Sequence, residues 1–140
     1  MSEEIRGMGV GAEVILSDLA RPDSPRALFA DEKNRGLAVD VLVNNAGFGA
    51  VGKFHELDLK RQLEMIQVNI TSLVELTHLF IPGMVGRKQG GILNVASTAS
   101  FQAGPHMAIY YATKAFVLSF TEAIGEELKN AGIQVTALCP

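Results

Sequence analysis

The stretch that decides the fold is AVDVLVNNAG, Ala38 to Gly47. Its mostly apolar, valine-rich run ends abruptly in two asparagines and a glycine turn. A strand buried on both faces needs no polar alternation, so a short apolar run with a polar stop reads as a strand of a parallel sheet. Three other stretches share the pattern: AEVILSDL (Ala12 to Leu19), GGILNVAS (Gly90 to Ser97) and GIQVTALCP (Gly132 to Pro140). Between them lie SPRALFADEKNRG, the long LDLKRQLEMIQVNITSLVELTHLFIPGM, and MAIYYATKAFVLSFTEAIGEELKNAG. Their apolar residues recur at three- and four-residue steps, which predicts helices, the last closed by Gly132. In the long segment Leu59, Leu63, Ile66, Ile70, Leu73 and Leu76 trace one stripe, and Pro82-Gly83 is expected to stop or bend the helix. Strict alternation of strand and helix predicts an α/β fold: a doubly wound parallel sheet of about four strands, with helices on both faces and right-handed crossovers.

With 140 residues the chain suits one domain, 1–140, with a real core. A net charge of −3 and the lack of any basic run beyond Arg87-Lys88 argue against a nucleic-acid partner. The single Cys139 excludes an internal disulfide and a multi-cysteine metal site, and it fits a reducing cytoplasm. His55, His78 and His106 share no ligand spacing, so no metal is expected. The opening MSEEIRGMGVG lacks the apolar core of a signal peptide, and no apolar run reaches spanning length, so the expected location is cytoplasmic with no membrane partner.

Ligands in such sheets sit beyond the carboxyl ends of the strands. Asp18, Asn44-Asn45, Ser97 and Pro140 all gather at those ends. Tyr110 and Lys114 stand one helical turn apart in YYATK and share a face, whereas Tyr111 has no lysine at that step. Gly104-Pro105 is expected to turn the chain back, bringing this helix toward Ser97. An ammonium beside a phenol favours its deprotonated form, which can exchange a proton with a carbonyl or alcohol oxygen. A serine hydroxyl can hold that same oxygen.

In order and spacing, NNAG at Asn44 to Gly47, Asn69 within MIQVNITSL, Ser97 within ILNVASTAS, and Tyr110 with Lys114 in YYATK resemble the short-chain dehydrogenase/reductase family over nearly the whole chain. Tyr110 follows Ser97 by thirteen positions, the family's usual interval. VDVLVNNAGFG and the ILNVAST…YYATKAFV block look most like the bacterial oxidoreductases called ketoreductases. The resemblance implies an NAD(P)-dependent oxidoreductase that transfers a hydride reversibly between NAD(P)H and a small carbonyl or secondary-alcohol substrate, with NADP slightly favoured. Tyr110 would be the general acid/base, Lys114 would assist it and hold the nicotinamide ribose, Ser97 would orient the substrate oxygen, and Asn69 would support a relay water. Asp18 and Leu19 would lie against the adenine, Asn44, Ala46 and Gly47 along its ribose, and Pro140 near the nicotinamide. Phe101, His106 and Met107 fall where the family places substrate-facing residues. Pairing of the two long helices would make a homo-oligomer.

Two departures bear on this. No TGxxxGxG loop follows a strand in these residues, since Gly7, Gly9 and Gly11 precede one and read as a connecting turn. The family's usual carboxyl-terminal substrate segment is not present either. The sequence therefore reads as a truncated family member whose first strand lacks a neighbour and whose Ala38–Gly47 strand is an exposed edge. By itself it is expected not to turn over ketones. The alternative to a catalytic role is a non-catalytic remnant serving as an assembly or binding module.

Overall fold

The structure is a computed structural model and describes residues 2–140. Three strands form a parallel sheet in the order β1-β2-β3: β1 is Val41–Asn44, β2 Gly90–Val95 and β3 Ile133–Leu138. The register pairs Asn44 with Asn94 and Val95 with Leu138, so the strand ends lie level. Helix α1 is Ser2–Gly7 and α2 Ser24–Asn34. Between β1 and β2 run α3 (Leu59–Ile66), a π-helical segment (Gln67–Ser72) and α4 (Leu73–Arg87) as one continuous rod. A 3-10 turn (Thr98–Phe101) and the long α5 (Ala108–Leu128) lead from β2 to β3.

Local chemistry sets the element ends. Asp58 caps α3 by accepting the Arg61 N–H at 3.1 Å. Pro82 does not stop α4, which continues to Arg87. Because the proline is exposed, water can reach the carbonyl its missing N–H orphans. After α5 and a short 3-10 turn, Gly132 adopts φ +77, and a Cβ there would sit 2.7 Å from the Lys88 carbonyl oxygen. Only glycine meets both conditions.

The expected α/β class holds, with three strands instead of about four. Residues 11–18 carry no regular secondary structure, and Val14 and Leu16 are 61% and 94% exposed. A strand needs a ladder partner for its backbone groups, and none pairs with this stretch among the described residues. Side chains hold it instead: Arg6 donates to the Ala12 carbonyl, Arg35 pairs with Glu13 at 2.6 Å, and just past its end the Ser72 hydroxyl donates to the Leu19 carbonyl at 2.9 Å. Beyond it, β1 is an edge strand, as its neighbourless reading required.

The helical layer lies on one face of the sheet. Asn44, Ile92, Asn94 and Ile133 point into it and are buried, whereas Val41, Val43 and Leu138 alternate onto the other face and are exposed. Crossovers that advance β1 to β2 to β3 in one direction place their helices on the same side, which accounts for this. The core there joins Leu76, Phe80 and Met84 of α4 to Ile92 and Ile133, with Phe29 of α2 edge-on to Phe80. A second cluster joins Leu73, Ala96 and Val117. The stripe read from the sequence divides: Leu73 and Leu76 are buried, but Leu59 and Leu63 face outward, and the inward face of α3 is made by Gln62 and Met65. The rod Leu59–Arg87, with mean hydropathy 1.3 over its most apolar window, is long and apolar enough to cross a membrane by length and composition, contrary to the expectation that no such run exists. Charged residues interrupt it in the sequence, and in the fold it is the helical layer packed on the sheet.

Candidate active site

The carboxyl ends of β1, β2 and β3 open on a cleft of about 530 Å³ lined by Asn45, Gly47, Phe48, Gly49, Val51, Val95, Ala96, Ser97, Met107, Tyr110, Lys114 and Pro140. Each side chain that faces it has a local reason to be there. Ser97 follows β2 in extended backbone and caps the 3-10 turn, its Oγ accepting the Ala99 N–H at 3.1 Å. That leaves the hydroxyl hydrogen able to donate into the cleft. The Pro140 carbonyl accepts the Thr98 N–H at 3.0 Å, which fixes the end of β3 beside Ser97. Ser100 donates to the Lys114 carbonyl at 2.8 Å, clamping the Ser97 turn to α5.

The turn before α5 behaves as its sequence predicts. Met107 N–H bonds the Gly104 carbonyl at 3.0 Å, and the Tyr111 ring lies so close on Gly104 that an added Cβ would meet Cδ2 at 2.2 Å. Tyr111 is thus a packing residue, while Tyr110, one position earlier, reaches the cleft. A Cβ on Gly49 would lie 3.1 Å from Tyr110 Cδ2 and 3.3 Å from Met107 Cε, so the glycine lets the turn after β1 approach the phenol ring.

Lys114 is 6% exposed and donates from Nζ to the Val95 carbonyl at 2.6 Å. Its Nζ is 5.9 Å from the Tyr110 ring centroid. Burial pushes its pKa below the ordinary lysine value, because desolvation disfavours the ammonium. A Cβ on Gly47 would stand 3.1 Å from Asn69 Oδ1 and 3.6 Å from Lys114 Nζ. The missing side chain is therefore what lets the backbone at 47 come against both polar groups.

Asn69 sits in the π-helical segment, where the altered winding marks many functional sites. Its Oδ1 accepts the Phe48 N–H at 3.1 Å, and its amide donates to the Phe48 carbonyl at 3.0 Å and to Thr113 Oγ1 at 3.0 Å. The side chain thus holds the turn after β1.

Of the residues expected to bind cofactor, Gly47, Tyr110, Lys114 and Pro140 line the cleft, and Ala46 precedes Gly47 in the same turn. Asn44 lies elsewhere: its amide is buried beneath the sheet and donates to Thr77 at 3.0 Å and Asn94 at 2.9 Å, while Asn94 donates to Thr121. Its neighbour Asn45 is the asparagine in the cleft. One position along a strand reverses the face, which separates the two side chains. Asp18 closes a turn by accepting the Ala20 N–H at 3.0 Å, and Leu19 packs against the core of α4, so neither lines this cleft. Met107 lines it. Phe101 is 68% exposed outside it, and His106, at φ +64, spends its carbonyl on the Gly52 N–H. Among the described residues no three His, Cys, Asp or Glu side chains gather as a metal site.

Comparison with known proteins identifies the family and the fold. The family model described as short chain dehydrogenase matches residues 1–140. A Streptomyces violaceoruber protein named as ketoacyl reductase 1 of the granaticin polyketide synthase is 39% identical over 140 residues, 99% of this chain and 52% of its own length. The acetoacetyl-CoA reductase of Paracoccus denitrificans is 40% identical over 102 residues, covering 73% of this chain and 42% of its own. Among solved structures, the short-chain dehydrogenase from Sphingobium yanoikuyae in complex with NADPH superimposes with TM-score 0.91 at 32% identity, covering 99% of this chain and 54% of that one. A metagenomic short-chain oxidoreductase in complex with NADP gives 0.91 at 30% identity, covering 99% and 63%. The chain spans about half the length of the curated relatives it matches. Likeness in sequence over its whole length and in fold at this level places the chain in the short-chain dehydrogenase family.

Proposed function

We propose that the chain carries the reacting part of a cytoplasmic NAD(P)-dependent oxidoreductase that interconverts a carbonyl and a secondary alcohol. The observation that carries this reading is the meeting of Ser97, Tyr110 and Lys114 in one cleft, with Asn69 behind its glycine wall. A bound nicotinamide cofactor supplies the hydride in reduction and takes it up in oxidation. The residues present fit its ribose end, since a Cβ-free backbone at Gly47 leaves room beside Lys114, and Asn45 and Pro140 border the same space. Two similar structures hold NADP or NADPH, which favours NADP here.

In reduction the Ser97 hydroxyl donates to the substrate oxygen and orients it, and Tyr110 gives that oxygen its phenolic proton as negative charge develops there. Lys114, anchored on Val95, keeps two N–H donors, which would serve the phenol and a bound cofactor's ribose. Asn69 spends both amide hydrogens on Phe48 and Thr113 and accepts the Phe48 N–H, so its side chain keeps no donor for a relay water and serves to hold the turn beside Lys114. Val51, Met107 and Pro140 give the cleft an apolar side that suits an alkyl or acyl ketone. Ketoacyl reduction by the named Streptomyces relative supports that substrate class. A second copy of the chain is the proposed partner, through the outward Leu59, Leu63 and Phe116 of the rod and α5.

The test is a graft: residues 1–140 replace the matching span of the Streptomyces violaceoruber reductase, and NADPH and NADH oxidation is followed with a panel of 3-ketoacyl thioesters and small ketones. Ketone-dependent, saturable oxidation of NADPH is expected. A folded graft that binds NADPH without ketone-dependent oxidation would sink the proposal.

A further inference from the structure

We propose that Thr113 is a positioning residue for this reaction, fixing the carboxamide of Asn69 to the helix that carries Tyr110. This rests on the reading of Tyr110 as the proton donor. A threonine inside a helix commonly returns its hydroxyl to a carbonyl three or four residues back, and Thr113 does so, donating to the Tyr110 carbonyl at 2.7 Å. That bond alone is ordinary packing. The same oxygen also accepts an amide hydrogen of Asn69 at 3.0 Å, from a different helix.

The other bonds of Asn69 run to Phe48, whose N–H and carbonyl it holds at 3.1 and 3.0 Å. A single relay of hydrogen bonds thus crosses from the cleft-lining turn, through the π-helical segment, to the backbone of the reacting tyrosine. It is dry, since Asn69 is 2% exposed and Thr113 1%. Water cannot stand in for a lost partner there, and a buried amide hydrogen without an acceptor is costly. Thr113 follows Tyr110 by three positions and precedes Lys114, so one helical face carries the phenol, the relay and the ammonium. Removing the hydroxyl frees the Asn69 amide, loosens Phe48, and lets the Tyr110 turn drift against the wall formed by Gly47 and Gly49.

The experiment compares Thr113→Val, which keeps the shape and removes both bonds, with Thr113→Ser, which keeps both. In the 140-residue chain, hydrogen exchange at the Phe48 amide and the Asn69 carboxamide is followed by NMR. Thr113→Val is expected to speed exchange at both by about tenfold or more, and Thr113→Ser to leave it near wild type. In the graft, Thr113→Val should lower kcat by about tenfold to a hundredfold, with KM and NADPH affinity within about twofold, and serine should restore most of the loss. Should valine unfold the chain, Thr113→Ala gives the same comparison without the added methyl group. Unchanged protection of Phe48, or a kcat that stays at wild type or is not restored by serine, overturns the proposal. A Tyr110→Phe control separates the two readings: turnover surviving that change sinks the assignment of the site, while its loss beside an undisturbed Thr113→Val sinks only the relay.

Discussion

Leu16 and Val43 belong to runs of similar make-up, yet their surroundings have little in common. Residues 41–44 hold a full parallel ladder to β2 from Val41↔Gly91 to Asn44↔Asn94, and they deliver Asn45 and Gly47 to the cleft. Residues 11–18 hold no ladder, and Leu16 is almost wholly exposed. What separates them is a neighbour. An apolar run states that a segment suits a buried strand, and only a paired backbone makes it one. β1 itself shows both conditions, with Leu42 and Asn44 turned to the helices and Val41 and Val43 turned to open space.

The largest stability effect should fall where the paired region is densest. Met84 is fully buried against Gly90, whose added Cβ would lie 2.6 Å from its Cγ. Met84→Ala is expected to cost about 2–5 kcal/mol in urea unfolding. A cost below about 1 kcal/mol would show that the helical layer is not the core described here.

A second effect is legible in pH. Burial lowers the pKa of Lys114 from 10.5, so between the lowered value and 10.5 the unfolded chain holds a proton that the folded chain has released. Stability therefore rises with pH across that window, and below it, where both states are protonated, this residue adds no slope. Lys114→Met should remove this part of the rise. An identical pH profile for the two proteins would mean the lysine is not desolvated. At the small end, Leu16→Ser should change stability by less than about 0.5 kcal/mol, because the side chain has little contact to lose. A cost of 2 kcal/mol or more, on the order of a core truncation, would give residues 11–18 a packed place and erase the contrast.

Much of the fold was legible in the sequence because Ala38–Gly47, Gly90–Ser97 and Gly132–Pro140 each carry both an apolar run and its polar stop. Ala12–Leu19 carries the same signal but lacks the pairing, which no single segment can reveal. The cleft was legible where spacing alone specifies geometry, as with Tyr110 and Lys114 on one helical face. It was less so where a face had to be chosen: the Asn44 side chain turns beneath the sheet, and Asn45 is the asparagine that lines the cleft. The division of the Leu59–Leu76 stripe has a similar origin, since the π-helical segment shifts the period on which the stripe was traced. Thr113 left only a faint trace, a hydroxyl on the Tyr110 face, because its partner is 44 residues away.

The most direct test of the account is kcat for ketone reduction by Tyr110→Phe in the graft, measured across pH with NADPH affinity determined in parallel. The substitution removes one oxygen and keeps the ring that packs on Gly49. If the phenol supplies the proton, kcat falls by about a hundredfold to ten-thousandfold while NADPH affinity stays within about twofold. A kcat within about threefold of the unsubstituted graft would contradict the account, because proton transfer would then run through another group.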